Sequence, residues 1–75
     1  MQRFGEKLRF LREQNNLTMR ELAAELGLKS HGSVSDFERG RAMPSAALAV
    51  RVADLFDVTT DQLLRDELEV DLANA

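Results

Sequence analysis

His31 is the one histidine of this 75-residue chain, cysteine is absent, and glycine is spread over four positions. Without a thiolate or a second imidazole there is no nucleophile-and-base constellation, no thiolate metal site and no disulfide, and a lone histidine is a poor metal ligand. The dispersed glycines form no loop that could cradle a phosphate. Neither an enzyme nor a metal or cofactor is expected. What the side chains offer is charge, ten Lys/Arg against thirteen Asp/Glu for a net of −3. It is divided unevenly. Residues 1–43 have eight cations and six acids, a net of +2, whereas residues 44–75 set Arg51 and Arg65 against seven acids, a net of −5. The N-terminal part is turned toward anions and the C-terminal part away from them.

Helical spacing supplies the frame for these charges. Phe4, Leu8 and Leu11 recur at i, i+4 and i+7 and predict a first helix over 2–14, broken by Asn15-Asn16. Thr18 and Glu21 have the spacing of a capping box, so a second helix is expected over 19–26, with Leu22, Ala23 and Leu26 as its apolar stripe and Gly27 as its stop. Val34 and Phe37 give a matching stripe to a third helix over 31–39, ending at Gly40. Pro44-Ser45 opens a fourth helix with Leu48, Val52, Leu55 and Phe56 inward, closed by Asp57-Val58. Thr59 and Gln62 form a second capping box, for a fifth helix containing Leu63 and Leu64. There is no β-type alternation of useful length and no internal repeat. The fold class expected is all-α, five helices in one compact unit over 1–65 with an acidic tail over 66–75.

A domain of this size buries only about 60% of its unfolded surface, so modest stability is expected. No apolar run approaches the roughly 20 residues of a membrane span, and the N-terminus leads into an amphipathic pattern rather than a signal peptide. With cysteine absent, a soluble protein of the cytoplasm is expected.

Two short helices joined by a tight turn and covered by others commonly present the second of the pair to a DNA groove. The ordered set Gly5-Glu6-Lys7-Leu8-Arg9, Leu11-Arg12, Leu17-Thr18, Glu21-Leu22-Ala23, Leu26-Gly27-Leu28, Val34-Ser35, Phe37-Glu38-Arg39-Gly40, Pro44-Ser45 and Val58-Thr59 with Asp61 to Leu64 resembles the Cro and phage-repressor type of helix-turn-helix domain, the xenobiotic-response-element family. The resemblance covers most of the chain. It implies a lambda-repressor-like bundle and a sequence-specific transcriptional regulator, a repressor that binds a palindromic operator in double-stranded DNA as a homodimer through its third helix. It places base contacts at His31, Gly32, Ser33 and Asp36, and backbone contacts at Thr18, Met19, Arg39 and Arg41. It also implies an internal ion pair between Arg12 and Glu38.

Three positions depart from the family pattern. Six residues, Leu28 to Ser33, separate the turn glycine from Val34 where five are usual, and Gly32 is expected to permit the longer turn. Met19 stands where a glutamine often donates to phosphate. Asp36 puts a carboxylate on the reading face, where its favourable target is the cytosine amino group. The acidic balance, Met19 and Asp36 also fit a second reading, a protein-interaction module on the same fold, and a third, an antitoxin whose tail grips a toxin. Phe10 lies off the first helix's stripe and is expected to be partly exposed. With Leu64, Leu68, Val70 and Leu72 it makes up the expected dimer surface, the tail serving as a dimer element or as an extension of the fifth helix.

Overall fold

The computed structural model describes residues 2–70. Five helices follow one another, α1 (Phe4–Gln14), α2 (Met19–Leu26), α3 (His31–Glu38), α4 (Ala46–Phe56) and α5 (Thr60–Leu64), and no strand occurs among the described residues. The bundle measures 30 × 23 × 19 Å.

Local chemistry sets the helix ends. Both capping boxes form: the Thr18 hydroxyl accepts from the Glu21 N–H at 3.0 Å while the Glu21 carboxylate accepts from the Thr18 N–H at 2.8 Å, and Thr59 and Gln62 repeat the exchange. Ser45 caps α4 by accepting from the Leu48 N–H at 3.1 Å. Gly27 ends α2 in the left-handed region at φ 71°, a conformation that costs glycine little, and so lets the chain reverse into α3.

The inward stripes meet in one core. Phe4, Leu8 and Leu11 pack with Leu22, Ala23 and Leu26 of α2, with Val34 of α3, with Leu48, Val52, Ala53 and Phe56 of α4 and with Leu63 of α5. Leu55, expected in the α4 stripe, is half-buried at its margin, and Ala49 is buried instead.

Residues after α5 do not extend that helix. They turn back along the start of α1. Asp66 accepts from the Gln2 and Arg3 N–H groups at 3.2 and 3.0 Å, taking the place of a helix cap that Arg3 itself does not supply. Arg3 donates to the Asp66 carbonyl at 2.7 Å and to both carboxylate oxygens of Glu69 at 2.8 and 2.9 Å. Val70 is 4% exposed and belongs to the core. Its placement on a dimer surface is corrected accordingly, because its own chain covers it. Leu72 lies outside the described residues.

Lys7 was not legible as a core residue. It is 1% exposed, and its ammonium donates to the Gln62 and Arg65 carbonyls at 2.6 Å each, at the C-terminal end of α5 where unpaired carbonyls concentrate negative potential. Burial, followed by the charge of Arg3, holds its pKa below the usual lysine value.

Candidate nucleic-acid interface

α3 is locked on one side and open on the other. Val34 is fully buried, and the Phe37 ring meets Phe4 edge-on, centroids 6.1 Å apart and planes at 83°. At the last residue of α3, Glu38 accepts from Arg12 Nε at 2.6 Å and Nη2 at 3.1 Å, a two-point pair in which the Glu38 side chain is only 3% exposed and that of Arg12 13%. The hydrogen bonds that Arg12 donates to the Glu38 carboxylate push the Arg12 pKa up. Arg12 Nη1 also donates to the Leu17 carbonyl at 3.0 Å, so one guanidinium ties α1 both to the entry of α2 and to the end of α3. The pair expected from the resemblance is therefore formed.

Gly5 adds a constraint that its spacing alone did not reveal. A Cβ built on it would stand 2.3 Å from the Phe37 carbonyl oxygen and 2.7 Å from that of Glu38, so α1 crosses the end of α3 at a distance only glycine allows.

At 3.6 residues per turn, the strip of α3 opposite Val34 and Phe37 contains Gly32 and Arg39, with Ser35 and Asp36 on its flanks, while His31 stands to one side and Ser33 lies beside Phe37. His31, Asp36 and Arg39 are exposed, and Gly32, Ser33 and Ser35 are half-buried. The open side of the helix thus brings together Gly32 and Asp36 of the expected contacts and adds Ser35, whereas His31 stands exposed to one side of the first turn and Ser33 lies half-buried toward Phe37. Gly32 lies within the first turn of α3 with an ordinary helical backbone. The four-residue turn Gly27–Ser30 is made without it, which corrects its reading as a turn residue. A Cβ on Gly32 would meet only the Ser30 hydroxyl, at 3.4 Å.

Around this helix, Thr18 is exposed at the start of α2, and Arg39 and Arg41 are exposed at the exit of α3. Met19 is half-buried and packs against the core, so its thioether is an apolar contact there. Its main-chain N–H belongs to the first turn of α2, whose free amide groups create positive potential.

The cations of the chain fall into two groups. Arg3, Lys7, Arg9, Arg12, Arg51 and Arg65 are each held by acceptors of their own chain, Arg51 by the Leu26 carbonyl at 3.1 Å. Among the described residues Arg20, Lys29, Arg39 and Arg41 make no side-chain hydrogen bond or ion pair, and all four are exposed. They lie in α2, in the turn, and at the exit of α3. No group of His, Asp and Glu among the described residues could hold a metal ion, and none of their helices is long and apolar enough to cross a membrane.

The family profile described as Helix-turn-helix matches residues 8–63. The chain is similar to the HTH-type transcriptional activator BcrR of Enterococcus faecalis, 37% identical over 70 residues that make up 93% of this chain and 34% of that protein. It is similar also to the HTH-type transcriptional repressor RghR of Bacillus subtilis, 35% identical over 65 residues, 85% of this chain and 47% of that protein. The chain spans a third to a half of the length of these curated relatives. Among solved structures, the N-terminal DNA-binding domain of SinR from Bacillus subtilis superposes with a TM-score of 0.78 at 24% identity, over 92% of this chain and 100% of that one. The P22 c2 repressor in complex with a synthetic operator superposes with the same TM-score at 22% identity, over 85% of this chain and 96% of that one. At those identities the superpositions speak for the fold, a repressor-type bundle. With its profile match running from α1 to α5, the chain belongs to the helix-turn-helix family of the Cro and phage-repressor type, a family of DNA-binding transcriptional regulators rather than enzymes.

Proposed function

We infer that this chain is a sequence-specific DNA-binding unit of the cytoplasm that represses transcription by occupying a palindromic operator as a homodimer. The observation that carries the reading is the state of α3. Its inner face is fixed by Phe37, Glu38 and the close crossing at Gly5, while the side chains of His31, Ser33, Asp36 and Arg39 have no partner among the described residues. A helix held rigidly by one face and polar and unpaired on the other suits insertion into a major groove.

In this reading His31, Gly32, Ser33 and Asp36 face base edges. Arg39 and Arg41 take phosphates, and Thr18 and the Met19 main-chain N–H do so at the start of α2. Half-sites for two such helices lie about 34 Å apart on one face of the duplex. Leu68, 37% exposed, and the half-buried Leu64 and Phe10 are the apolar side chains of the expected dimer surface that remain open to a partner. By name RghR is a repressor and BcrR an activator, and the repressor mode proposed follows the former.

A salt titration against mixed duplexes tests this reading against a protein-interaction module. Counterion release makes a DNA binder lose affinity steeply and linearly in log salt. Arg39→Ala/Arg41→Ala should lower that slope by about two units, roughly 0.9 per phosphate, without moving the unfolding midpoint. Absence of salt-dependent duplex binding by the wild type would overturn the reading.

A further inference from the structure

The four unpaired cations stand as two pairs, one at each end of α3. Arg39 and Arg41 follow its last turn. Arg20 and Lys29 line one shallow groove together with Ser30 and His31 at its start. Among the described residues none of the four makes a side-chain hydrogen bond or ion pair, in contrast to the six other cations, each of which has an acceptor of its own. The eight residues of α3 span about 12 Å. The two positive pairs therefore flank α3, one at each end, and a helix lying in the major groove, with the preceding helix crossing the backbone, brings both flanks close to phosphates.

Resting on the reading of α3 as the groove-inserted helix, we propose that Arg20 and Lys29 form a second phosphate clamp, which grips the strand opposite the one held by Arg39 and Arg41. The clamp fixes the depth and tilt of α3 by holding it at both ends. It also offsets Asp36, whose carboxylate faces the same groove. The missing donor at Met19 is thereby replaced by the neighbouring side chain, Arg20, one position further into α2.

The test uses the whole chain and a short duplex enriched from a random pool by the wild type, with single phosphates replaced by neutral methylphosphonates along each strand in turn. The wild type should lose affinity when phosphates of either wall are neutralised. Arg20→Ala/Lys29→Ala should become indifferent to substitutions on one strand while keeping its response to those on the other, and its salt slope should fall by about 1.8. Arg20→Lys/Lys29→Arg, which keeps both charges, should restore slope and response. Since neither side chain makes a hydrogen bond or ion pair among the described residues and both are exposed, the unfolding midpoint of each variant should stay close to the wild type. A wild type that binds with salt dependence while the alanine pair keeps the same slope and the same response on both strands overturns the clamp and leaves the DNA-binding reading standing. A wild type that binds no duplex overturns both.

Discussion

Arg12 of α1 and Glu38 of α3 meet through two parallel hydrogen bonds of 2.6 and 3.1 Å, and this pair fixes the end of α3 from inside the protein. Truncating Arg12 leaves a carboxylate almost without access to water, so Arg12→Ala should destabilise the fold by about 3 kcal/mol. Replacing both residues by apolar ones should cost less than the sum of the single changes. Urea unfolding of the four proteins of a double-mutant cycle measures the coupling, and additivity would show that the two residues act independently.

Gly5→Ala sets two opposed effects against each other. Alanine gains about 1 kcal/mol of helix propensity over glycine. Its methyl group, however, would stand 2.3 and 2.7 Å from two carbonyl oxygens at the end of α3, backbone atoms that cannot swing aside. Overpacking of this kind costs about 1 to 3 kcal/mol, more where backbone must move, so a net loss of about 2 kcal/mol is expected. Thermal unfolding decides the sign, and a stabilised variant would mean that α1 and α3 separate easily.

Acid should loosen the strap after α5. Hydrogen bonds from the Arg3 and Gln2 main chain hold the Asp66 pKa below its ordinary value, and the Arg3 guanidinium does the same for Glu69. A carboxylate with a lowered folded-state pKa contributes stability above its unfolded value, near 4, and loses that contribution as pH falls through the folded value. The unfolding midpoint should therefore drop below about pH 4, and Glu69→Gln should flatten part of that drop. An unchanged pH profile in Glu69→Gln would show that the Arg3 contact adds nothing in solution.

Much of this arrangement was legible because it is local. Thr18 with Glu21 and Thr59 with Gln62 declare helix starts within four residues, and Leu22, Ala23 and Leu26 declare a buried face by spacing alone. The Arg12–Glu38 pair came from the family resemblance, since no local rule joins residues 26 positions apart. Lys7 shows the limit. Its type argues for the surface, and only the approach of α5, 55 residues on, supplies the two carbonyls that make its burial tolerable. The strap from Arg3 to Asp66 and Glu69 was hidden for the same reason, and so the tail read as a spare apolar surface when Val70 in fact completes the core. At the interface the exposed charges were visible, but their division into used and unused cations depends on tertiary contacts, which is why Arg20 and Lys29 escaped notice.

Base readout by α3 is the central claim, and selection of bound sequences from a random duplex pool by the wild type and by Asp36→Asn tests it most directly. The wild type should enrich two inverted half-sites spaced by about one helical turn. If Asp36 accepts from a cytosine amino group, Asp36→Asn should enrich the same site with one position per half-site moved toward adenine, whose N6 and N7 asparagine can contact. A pool that stays random after selection by the wild type would contradict the claim, whatever the protein's affinity for DNA in bulk.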